Sequence, residues 1–533
     1  MTDFLVKVDR STTPPKFSFP KPFNVAVPFI DRHIQENRGE KIAIQCADQT
    51  ITYGCLAEQV NRCGNALLNQ GVNSGDRLMM VVKDTPAFFY LFWGAIKAGV
   101  IPVPVNTLLR VDDYAFMIEK TACQALCYSS EYMDEIEPAI VKSNHMPHVV
   151  LVEGASNHRS ISLETVMESA SPELLPFPAT EHDDCFWLFS SGSTGKPKAA
   201  VHRHRDMVVT SELYGVGCLN ITENDIFYSA AKLFFAYGLG NAMTLPLWIG
   251  ARLILDWRKP TPEITFNNMA RYQPSLYFGV PTLYSALLNS YDELDSKPNL
   301  SSLRACVSAG EALPADILRR WRERIGIDIL DGIGSTEALH IFITNLPGEV
   351  VPGASGRLVP GYQARILDEN DNLVMPGTIG RLLVKGPSSA GYYWQDPERT
   401  AATMKGEWLE TGDTYLQNED GVFVYCGRND DMMKVGGIWC SPFEIEAKLV
   451  EHPAVLEAAV VAREDSAGLV KPAAFVVLKD PKAINDAVKN ELILYVKSGL
   501  ARYKFPRWIT FVDVLPKTAT GKIQRFKLRA ECT

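Results

Sequence analysis

Residues 190–198 have the sequence SSGSTGKPK and directly follow the apolar residues 186–189, FWLF. A strand that opens into such a loop presents backbone N–H groups, hydroxyls and ammonium ions to one point, which suits a polyphosphate. Glycine lets the backbone approach phosphate oxygens closely. The loop differs from the common P-loop, because Pro197 stands where that motif needs Ser or Thr after Gly-Lys. We therefore predict a phosphate-binding loop, with a polar surface turn as the alternative.

The composition is that of a globular enzyme with more than one core. The chain has 533 residues, 46% of them hydrophobic and 22% charged, so two or more domains are expected. A net charge of −9 disfavours a general nucleic-acid-binding role. No apolar run reaches the roughly 18–20 residues of a membrane span, and the start lacks a signal-peptide core. Eleven cysteines without a Cys-x-x-Cys pair indicate core thiols in a reducing, cytoplasmic location. The nine histidines form no metal-ligand pattern.

Strand-like and helix-like segments alternate through the first four-fifths of the chain. Strands are predicted at 77–82, 101–105, 275–278 and 303–308, with a helix at 87–98 and helices opened by Pro281 and Pro314. This order predicts an α/β fold whose parallel or mixed sheets have flanking helices, with ligands beyond the carboxyl ends of the strands. From about residue 431 the pattern changes to a compact α+β unit, with strands at 455–462, 473–478 and 508–512 and a helix at 486–499.

Four further motifs follow in order: DGIGSTE at 331–337, ETGD at 410–413, GRNDD at 427–431 and PKTATGK at 516–522. With them the chain resembles the adenylate-forming superfamily of acyl-CoA synthetases, peptide-synthetase adenylation domains and firefly luciferase, over nearly its whole length. The resemblance implies a large N-terminal domain (1–430), a small mobile C-terminal lid domain (431–533) and a hinge at Asp430.

The resemblance also implies the chemistry. ATP and a carboxylic acid would give an acyl-AMP and pyrophosphate, and the thiol of CoA would then take the acyl group. Mg²⁺ would be bound by Glu337 and would neutralise phosphate charge. The implied catalytic residues are Lys522, Lys434, Thr336 and Glu337. The residues that the resemblance implies for nucleotide binding are Ser190, Ser191, Gly192, Ser193, Thr194, Gly195, Lys196, Lys198, Gly332, Thr336, Asp413, Arg428 and Lys522. Gly436 and Gly437 would leave room for the pantetheine of CoA.

Each assignment has a structural alternative. Glu337 could cap a helix, Asp413 could be a turn residue, and Arg428 could form an interdomain salt bridge. Lys522 and Lys434 could be solvated surface charges; Lys434 matches a position that is lysine in only some relatives. Ile333 stands where many relatives carry an aromatic residue against adenine, so the strength of adenine binding is in doubt.

The acid pocket is expected around KLFFAYGLG (232–240) and ALHI (338–341). By its resemblance to the benzoate-CoA ligase branch, the pocket would be lined by Phe235, Ala236, Tyr237, Gly334, His340 and Ile341. Small residues beside aromatic walls suit a flat ring. An aromatic run is also typical of a core, and His340 could be a hydrogen-bonded core histidine. Benzoate is the leading substrate; hydroxy-, amino- or fluorobenzoate and an alicyclic acid remain alternatives.

Other classes of function stay open at this point. An enzyme that loads a separate carrier protein would share the first half-reaction, and so would a luciferase-like monooxygenase. A non-catalytic nucleotide-binding relative would be expected to have lost Lys522, Glu337 or the phosphate loop, and all are present. The expected partners are the acid, ATP and CoA, with no nucleic acid and no membrane span, and a homodimer is left open.

Overall fold

The computed structural model describes residues 4–157, 160–190, 197–435, 438–466, 468–501, 503–517 and 523–531. Its strands, in chain order, are β1 (Lys7–Asp9), β2 (Lys16–Ser18), β3 (Ile42–Cys46), β4 (Gln49–Thr52), β5 (Arg77–Val81), β6 (Ile101–Pro104), β7 (Ala125–Ser129), β8 (Val149–Glu153), β9 (Ile161–Ser162), β10 (Asp184–Ser190), β11 (Lys198–Arg203), β12 (Ile226–Ser229), β13 (Arg252–Leu255), β14 (Leu276–Gly279), β15 (Ala305–Ser308), β16 (Ile329–Gly334), β17 (Ile341–Thr344), β18 (Arg357–Leu358), β19 (Gln363–Leu367), β20 (Gly380–Lys385), β21 (Tyr392–Tyr393), β22 (Met404–Lys405), β23 (Trp408–Gln417), β24 (Phe423–Arg428), β25 (Met433–Val435), β26 (Ile438–Cys440), β27 (Val455–Glu464), β28 (Val470–Leu478) and β29 (Trp508–Phe511).

The α-helices are α1 (Arg32–Gln35), α2 (Tyr53–Asn69), α3 (Pro86–Lys97), α4 (Val111–Thr121), α5 (Met133–Lys142), α6 (Leu163–Glu168), α7 (His204–Thr210), α8 (Ala236–Leu239), α9 (Leu245–Ile249), α10 (Pro262–Tyr272), α11 (Pro281–Glu293), α12 (Ala315–Ile325), α13 (Pro397–Thr403), α14 (Pro442–Val450), α15 (Asp486–Gly499) and α16 (Arg525–Ala530). Helical turns of π type occur at Val27–Asp31, Ser211–Val216 and Gly240–Thr244.

The N-terminal part is built on two sheets with parallel cores. The larger has nine strands in the order β18-β17-β16-β15-β14-β12-β13-β3-β4, antiparallel only at its two ends. The smaller is wholly parallel in the order β6-β5-β7-β8-β9. Helix α3 between β5 and β6 carries a nearly continuous apolar sequence and is buried almost throughout, as a crossover helix between packed layers requires.

Antiparallel sheets complete the fold. One joins β10, β11 and β21, and another joins β19, β20, β22, β23 and β24. The smallest joins β1 with β2. The predicted α/β class with parallel and mixed sheets is confirmed.

The C-terminal part has its own buried core. Strands β27, β28 and β29 form a three-stranded sheet, and β25 pairs with β26. Its two clusters of buried apolar side chains contain no residue before Met433, while the clusters of the preceding part end at Phe423. The predicted smaller α+β unit is therefore confirmed as a structural unit. No helix within the described ranges is long and apolar enough to cross a membrane.

Candidate active site

Three neighbouring parallel strands of the large sheet reach the edge at which the motif 331–337 lies. Gly279, Ser308 and Asp331 are register partners on β14, β15 and β16, so their side of the sheet is the edge at which ligands bind in such folds. Strand β16 continues past Asp331 to Gly334, and the chain then turns and returns antiparallel as β17. The motif 331–337 is thereby placed at this edge.

Two glycines of this motif permit close packing. A Cβ atom on Gly334 would lie 2.5 Å from the carbonyl oxygen of His340, and one on Gly332 would lie 2.9 Å from that of Ile343. Any side chain at these positions would displace the backbone of β17. Ile333, between the glycines, is partly buried against the main apolar core.

Glu337 is the centre of a compact polar cluster. Its Oε1 atom accepts hydrogen bonds from the Ser190 hydroxyl at 3.2 Å and the Tyr393 hydroxyl at 2.6 Å. The Lys198 ammonium lies 3.2 Å from the same oxygen. Because Ser190 ends β10 and Lys198 begins β11, the two residues that flank the phosphate loop meet at one carboxylate. Glu337 lies in a turn and not at a helix end, so the helix-cap alternative is wrong.

The Glu337 carboxylate is charged in this setting. Burial disfavours its ionised form, but the Lys198 charge and the Tyr393 hydrogen bond outweigh burial and lower the pKa of Glu337 below its ordinary value. Ser190, Tyr393 and Lys198 all contact Oε1 of Glu337, and none of these three contacts is made to Oε2. A carboxylate with one oxygen not engaged by these donors fits Mg²⁺, which takes one or two protein carboxylates and completes its octahedron with phosphate oxygens and water. The described residues contain no cluster of three or more metal-ligating side chains.

A histidine connects the phosphate-loop strand to the next motif residue. His202 on β11 is fully buried; its Nε2 lies 2.8 Å from the Thr336 carbonyl oxygen, and its Nδ1 lies 3.1 Å from Asp206 Oδ2. The position of Thr336 is thereby fixed by its backbone, which leaves its hydroxyl for other partners. His204 begins α7.

Leu339 reverses the chain between Glu337 and His340. It has a φ of 67°, a left-handed conformation that is unfavourable for a residue with a branched side chain. Its side chain is buried in the main core, and its N–H donates to the Thr336 carbonyl oxygen at 3.1 Å. Glu337 contacts Ser190 and Lys198, while His340 lies against α8 and the helical turn that follows it.

The predicted acid-pocket residues come from two segments that the structure brings together. Phe235 precedes α8, which begins at Ala236, and the Tyr237 hydroxyl lies 3.2 Å from the carbonyl oxygens of both Gly279 and Val307. The ring of His340 lies 6.1 Å from the ring of Tyr237. Strand β17 begins at Ile341. These residues therefore adjoin the strand ends that carry Asp331.

His340 is also a packed, hydrogen-bonded histidine. Its Nε2 lies 3.1 Å from Asn241 Oδ1, its ring lies 5.0 Å from that of Tyr214, and a Cβ on Gly240 would overlap it. Burial lowers the pKa of His340 to about 3, so the ring is neutral at physiological pH. Its Nδ1 atom has no hydrogen-bond partner.

Asp413 and Arg428 face each other across β23 and β24. They are register partners, and the guanidinium donates to Asp413 Oδ1 at 3.0 Å. The salt bridge joins two paired strands of one antiparallel sheet, and Asp413 lies in a strand instead of an isolated turn. Burial raises the pKa of the neighbouring Tyr415 hydroxyl, and the carboxylates of Asp413 and Asp331 add to this.

The C-terminal part contacts the rest of the chain at a few points. The Ile523 N–H donates to Glu311 at 3.4 Å, and Lys434 forms an exposed 2.6 Å ion pair with Glu369. The ion-pair partner of Lys434 in this conformation is thus Glu369, whereas that of Glu337 is Lys198. Seven predicted nucleotide-site residues and two predicted CoA-site residues lie outside the described residues: Ser191, Gly192, Ser193, Thr194, Gly195, Lys196 and Lys522, and Gly436 and Gly437.

Sequence reasoning missed Tyr393 and Asn241. Tyr393 contacts both Glu337 and Lys198 because β21 pairs with β11, placing Tyr393 opposite Ala200. An aromatic run after Gly391 was the only signal, and it does not reveal this pairing. Asn241 lies one helical turn after Tyr237, a spacing that could have suggested a shared face.

Comparison with known proteins places these observations in a family. The profile of AMP-binding enzymes matches residues 30–394, and that of the AMP-binding enzyme C-terminal domain matches residues 444–522. A benzoate–CoA ligase of Thauera aromatica is 48% identical over 524 residues, 98% of each chain. A 4-hydroxybenzoate–CoA/benzoate–CoA ligase of Rhodopseudomonas palustris is 44% identical over 513 residues, which cover 95% of this chain and 94% of the relative.

Solved structures agree with the sequence relatives. A benzoate CoA ligase from Burkholderia xenovorans LB400 superposes with a TM-score of 0.87 at 43% identity, covering 95% of this chain and all of the other. An anthranilate CoA ligase in complex with anthranoyl-AMP superposes with a TM-score of 0.91 at 37% identity, covering 97% and 98% of the two chains.

Proposed function

The chain belongs to the AMP-binding enzyme family, and we propose that it is an ATP-dependent aryl-CoA ligase with benzoate as its preferred acid. The observation that carries the proposal is the turn at Leu339, which joins Glu337 in a phosphate-side cluster to His340 in an aromatic, largely apolar surrounding. A carboxylic acid and a nucleotide bound on the two sides of this turn would meet at Thr336.

The first half-reaction makes the acid reactive. A carboxylate resists nucleophiles because of its charge and resonance, and transfer to AMP provides a good leaving group. The loop from Ser190 to Lys198 binds the phosphates that leave as pyrophosphate, and Thr336 contacts the α-phosphate. Asp413 accepts hydrogen bonds from the ribose hydroxyls, with Arg428 beside it. Lys522 stabilises the charge that develops on the reacting oxygens.

Mg²⁺ is proposed at Glu337, where it would neutralise phosphate charge that otherwise repels the incoming carboxylate. The support is the ionised, partly engaged carboxylate described above.

In the second half-reaction the thiol of CoA attacks the acyl-AMP. We propose that rotation at Asp430 exchanges Lys522 for the segment of Lys434, Gly436 and Gly437, with domains 1–430 and 431–533 as the moving bodies. The acid remains between Phe235, Ala236, Tyr237, Gly334, His340 and Ile341 during this exchange.

Location and assembly are further proposals. The ten cysteines in the described ranges are all free thiols and nine are buried, which supports a reducing compartment such as the cytoplasm. A homodimer is the proposed assembly, and size-exclusion chromatography with light scattering tests it.

An ATP–pyrophosphate exchange screen tests the function. The acids are benzoate, its 2-, 3- and 4-hydroxy, 2-amino and 4-fluoro derivatives, and cyclohexanecarboxylate. We expect the fastest exchange with benzoate, AMP as the nucleotide product, and a benzoyl thioester once CoA is added. ADP as the stoichiometric product would refute the mechanism. Exchange without transfer to CoA would instead favour loading of a separate carrier protein.

A further inference from the structure

Lys198 serves as the counter-ion of Glu337 in this structure. The two side chains are largely buried, with exposed fractions of 17% and 13%, and their charged atoms lie 3.2 Å apart. A carboxylate this far from water is costly unless a positive charge accompanies it. Among the described residues, Lys198 is the cation that forms an ion pair with Glu337.

Tyr393 holds this lysine in place in two ways. The ammonium lies 4.3 Å from the centre of the Tyr393 ring, a cation–π contact. The ammonium also donates to the Tyr393 hydroxyl oxygen, and the hydroxyl donates in turn to Glu337 Oε1. The three groups therefore form a closed set in which the tyrosine contacts both charges.

A divalent cation at Glu337 would compete with this ammonium. Both are attracted to the same carboxylate, and they repel each other at short range unless additional negative charge is present. A bound triphosphate supplies that charge, and Lys198 is the residue at which the phosphate loop ends. The ammonium can then move to phosphate oxygens without leaving Glu337 unpaired.

We propose that Lys198 is the resident cation of Glu337 in the nucleotide-free enzyme and exchanges with the divalent cation when ATP binds. Tyr393 is the positioning residue for this exchange. The consequence is ordered binding: the carboxylate accepts a divalent cation only together with the nucleotide. The inference rests on the proposed function for the nucleotide and for the divalent cation at Glu337.

Mn²⁺ binding measured by electron paramagnetic resonance, without nucleotide, tests the exchange. Lys198→Met removes the competing charge and should bind Mn²⁺ at least about tenfold more tightly than the wild type. Lys198→Arg keeps the charge and should bind as weakly as the wild type. Tyr393→Phe removes the hydroxyl that positions the Lys198 ammonium. Its Mn²⁺ affinity should lie between those of the wild type and Lys198→Met. Lys142→Met removes a lysine from the exposed pair with Asp112 and should leave Mn²⁺ binding unchanged.

With a non-hydrolysable ATP analogue present, the wild type should bind Mn²⁺ and Lys198→Met should bind the analogue more weakly. Equal Mn²⁺ affinity of the wild type and Lys198→Met without nucleotide would overturn the inference. If Lys198→Met does not fold, wild-type affinity in Tyr393→Phe would overturn it equally. Because no acid or CoA is used, these results are independent of whether benzoate is the substrate.

Discussion

At the scale of single residues, the proposed acid pocket combines small side chains with aromatic ones. Ala236 is 9% exposed at the start of α8, and Tyr237 directly after it is fixed by the carbonyl oxygens of two strand ends. Because Ala236 is nearly buried, a larger side chain there would press on its neighbours or on a ring bound in the proposed pocket.

We predict that Ala236→Leu raises the KM for benzoate about tenfold or more, because overpacking costs typically about 1–3 kcal/mol. His340→Ala should alter the order of preferred acids. Neither change should move the KM for ATP by more than about twofold, and steady-state kinetics with each substrate varied in turn provides the measurement. Loss of ATP affinity with unchanged acid preference would mean that the pocket lies elsewhere.

Residue identity was predictable where the chemistry is local to a motif. Glu337 and Asp413 were predicted because their motifs resemble those of the adenylate-forming superfamily. Their pairing partners were not, because Tyr393 reaches Glu337 only through the pairing of β21 with β11. Such contacts between residues far apart in sequence depend on strand order, which one sequence does not specify.

At the scale of secondary-structure elements, the last helix is attached to the proposed hinge. From α16, Arg529 donates to Asp431 Oδ1 at 2.5 Å, and Arg525 lies 3.7 Å from Asp431 Oδ2. Arg525 also forms a bidentate pair with the buried Glu446. Because α16 begins three residues after Lys522, these ion pairs connect the residue that follows the hinge to the segment of the proposed catalytic lysine.

We predict that Asp431→Asn lowers the rate of acyl-AMP formation about tenfold, since losing a partly buried ionic partner costs about 1.5–3 kcal/mol of positioning. The rate from supplied benzoyl-AMP and CoA should change less than about twofold. Single-turnover assays of each half-reaction decide this. Lys527→Gln is the matched control, since Lys527 is exposed on the same helix. Equal slowing of both half-reactions would assign Asp431 a general structural role.

Element boundaries were predicted to within about three residues. The helix at 486–499 is found as predicted, and Pro281 opens α11. Pro314 does not open α12 as predicted: its ψ of 134° is extended, so it precedes the helix, which begins at Ala315. Strands β15 and β28 differ from prediction at their first residues, because the pairing of a neighbouring strand, and not the apolar run alone, determines where a strand starts.

At the scale of the whole molecule, the two half-reactions should be separable by mutation. We predict that Lys522→Ala slows acyl-AMP formation about 10²–10³-fold but leaves conversion of supplied benzoyl-AMP and CoA near normal. Gly437→Leu should do the opposite, because its side chain would fill the path of pantetheine. Lys434→Ala should slow the same half-reaction as Gly437→Leu, but by a smaller factor. If Lys522→Ala slows both steps equally in single-turnover assays, a rotating C-terminal domain is the wrong mechanism.

Three buried histidines should make the fold sensitive to acid. Burial lowers the pKa of His33 and His340 to about 3 and that of His204 to about 4, against an ordinary value near 6.5. Below pH ~6.5 the unfolded chain binds protons that the folded chain does not, so the contribution of these residues to the free energy of unfolding decreases as pH falls towards 4.

We predict that His33→Gln reduces the slope of the free energy of unfolding against pH, between pH 6 and 5, by up to about 1.4 kcal/mol per unit. Urea denaturation at each pH gives the slope. An unchanged slope in His33→Gln would show that His33 takes up its proton in the folded state.

The left-handed residue at 339 has an evolutionary consequence. Because the chain reverses there, substitutions on β17 and α8 alter the surroundings of His340 without displacing Glu337, whose partners come from β10, β11 and β21. A lineage can therefore diversify the acids it activates by a few point changes while the ATP-dependent step is inherited intact. Directed evolution of this enzyme should accumulate its productive changes on the His340 side of Leu339.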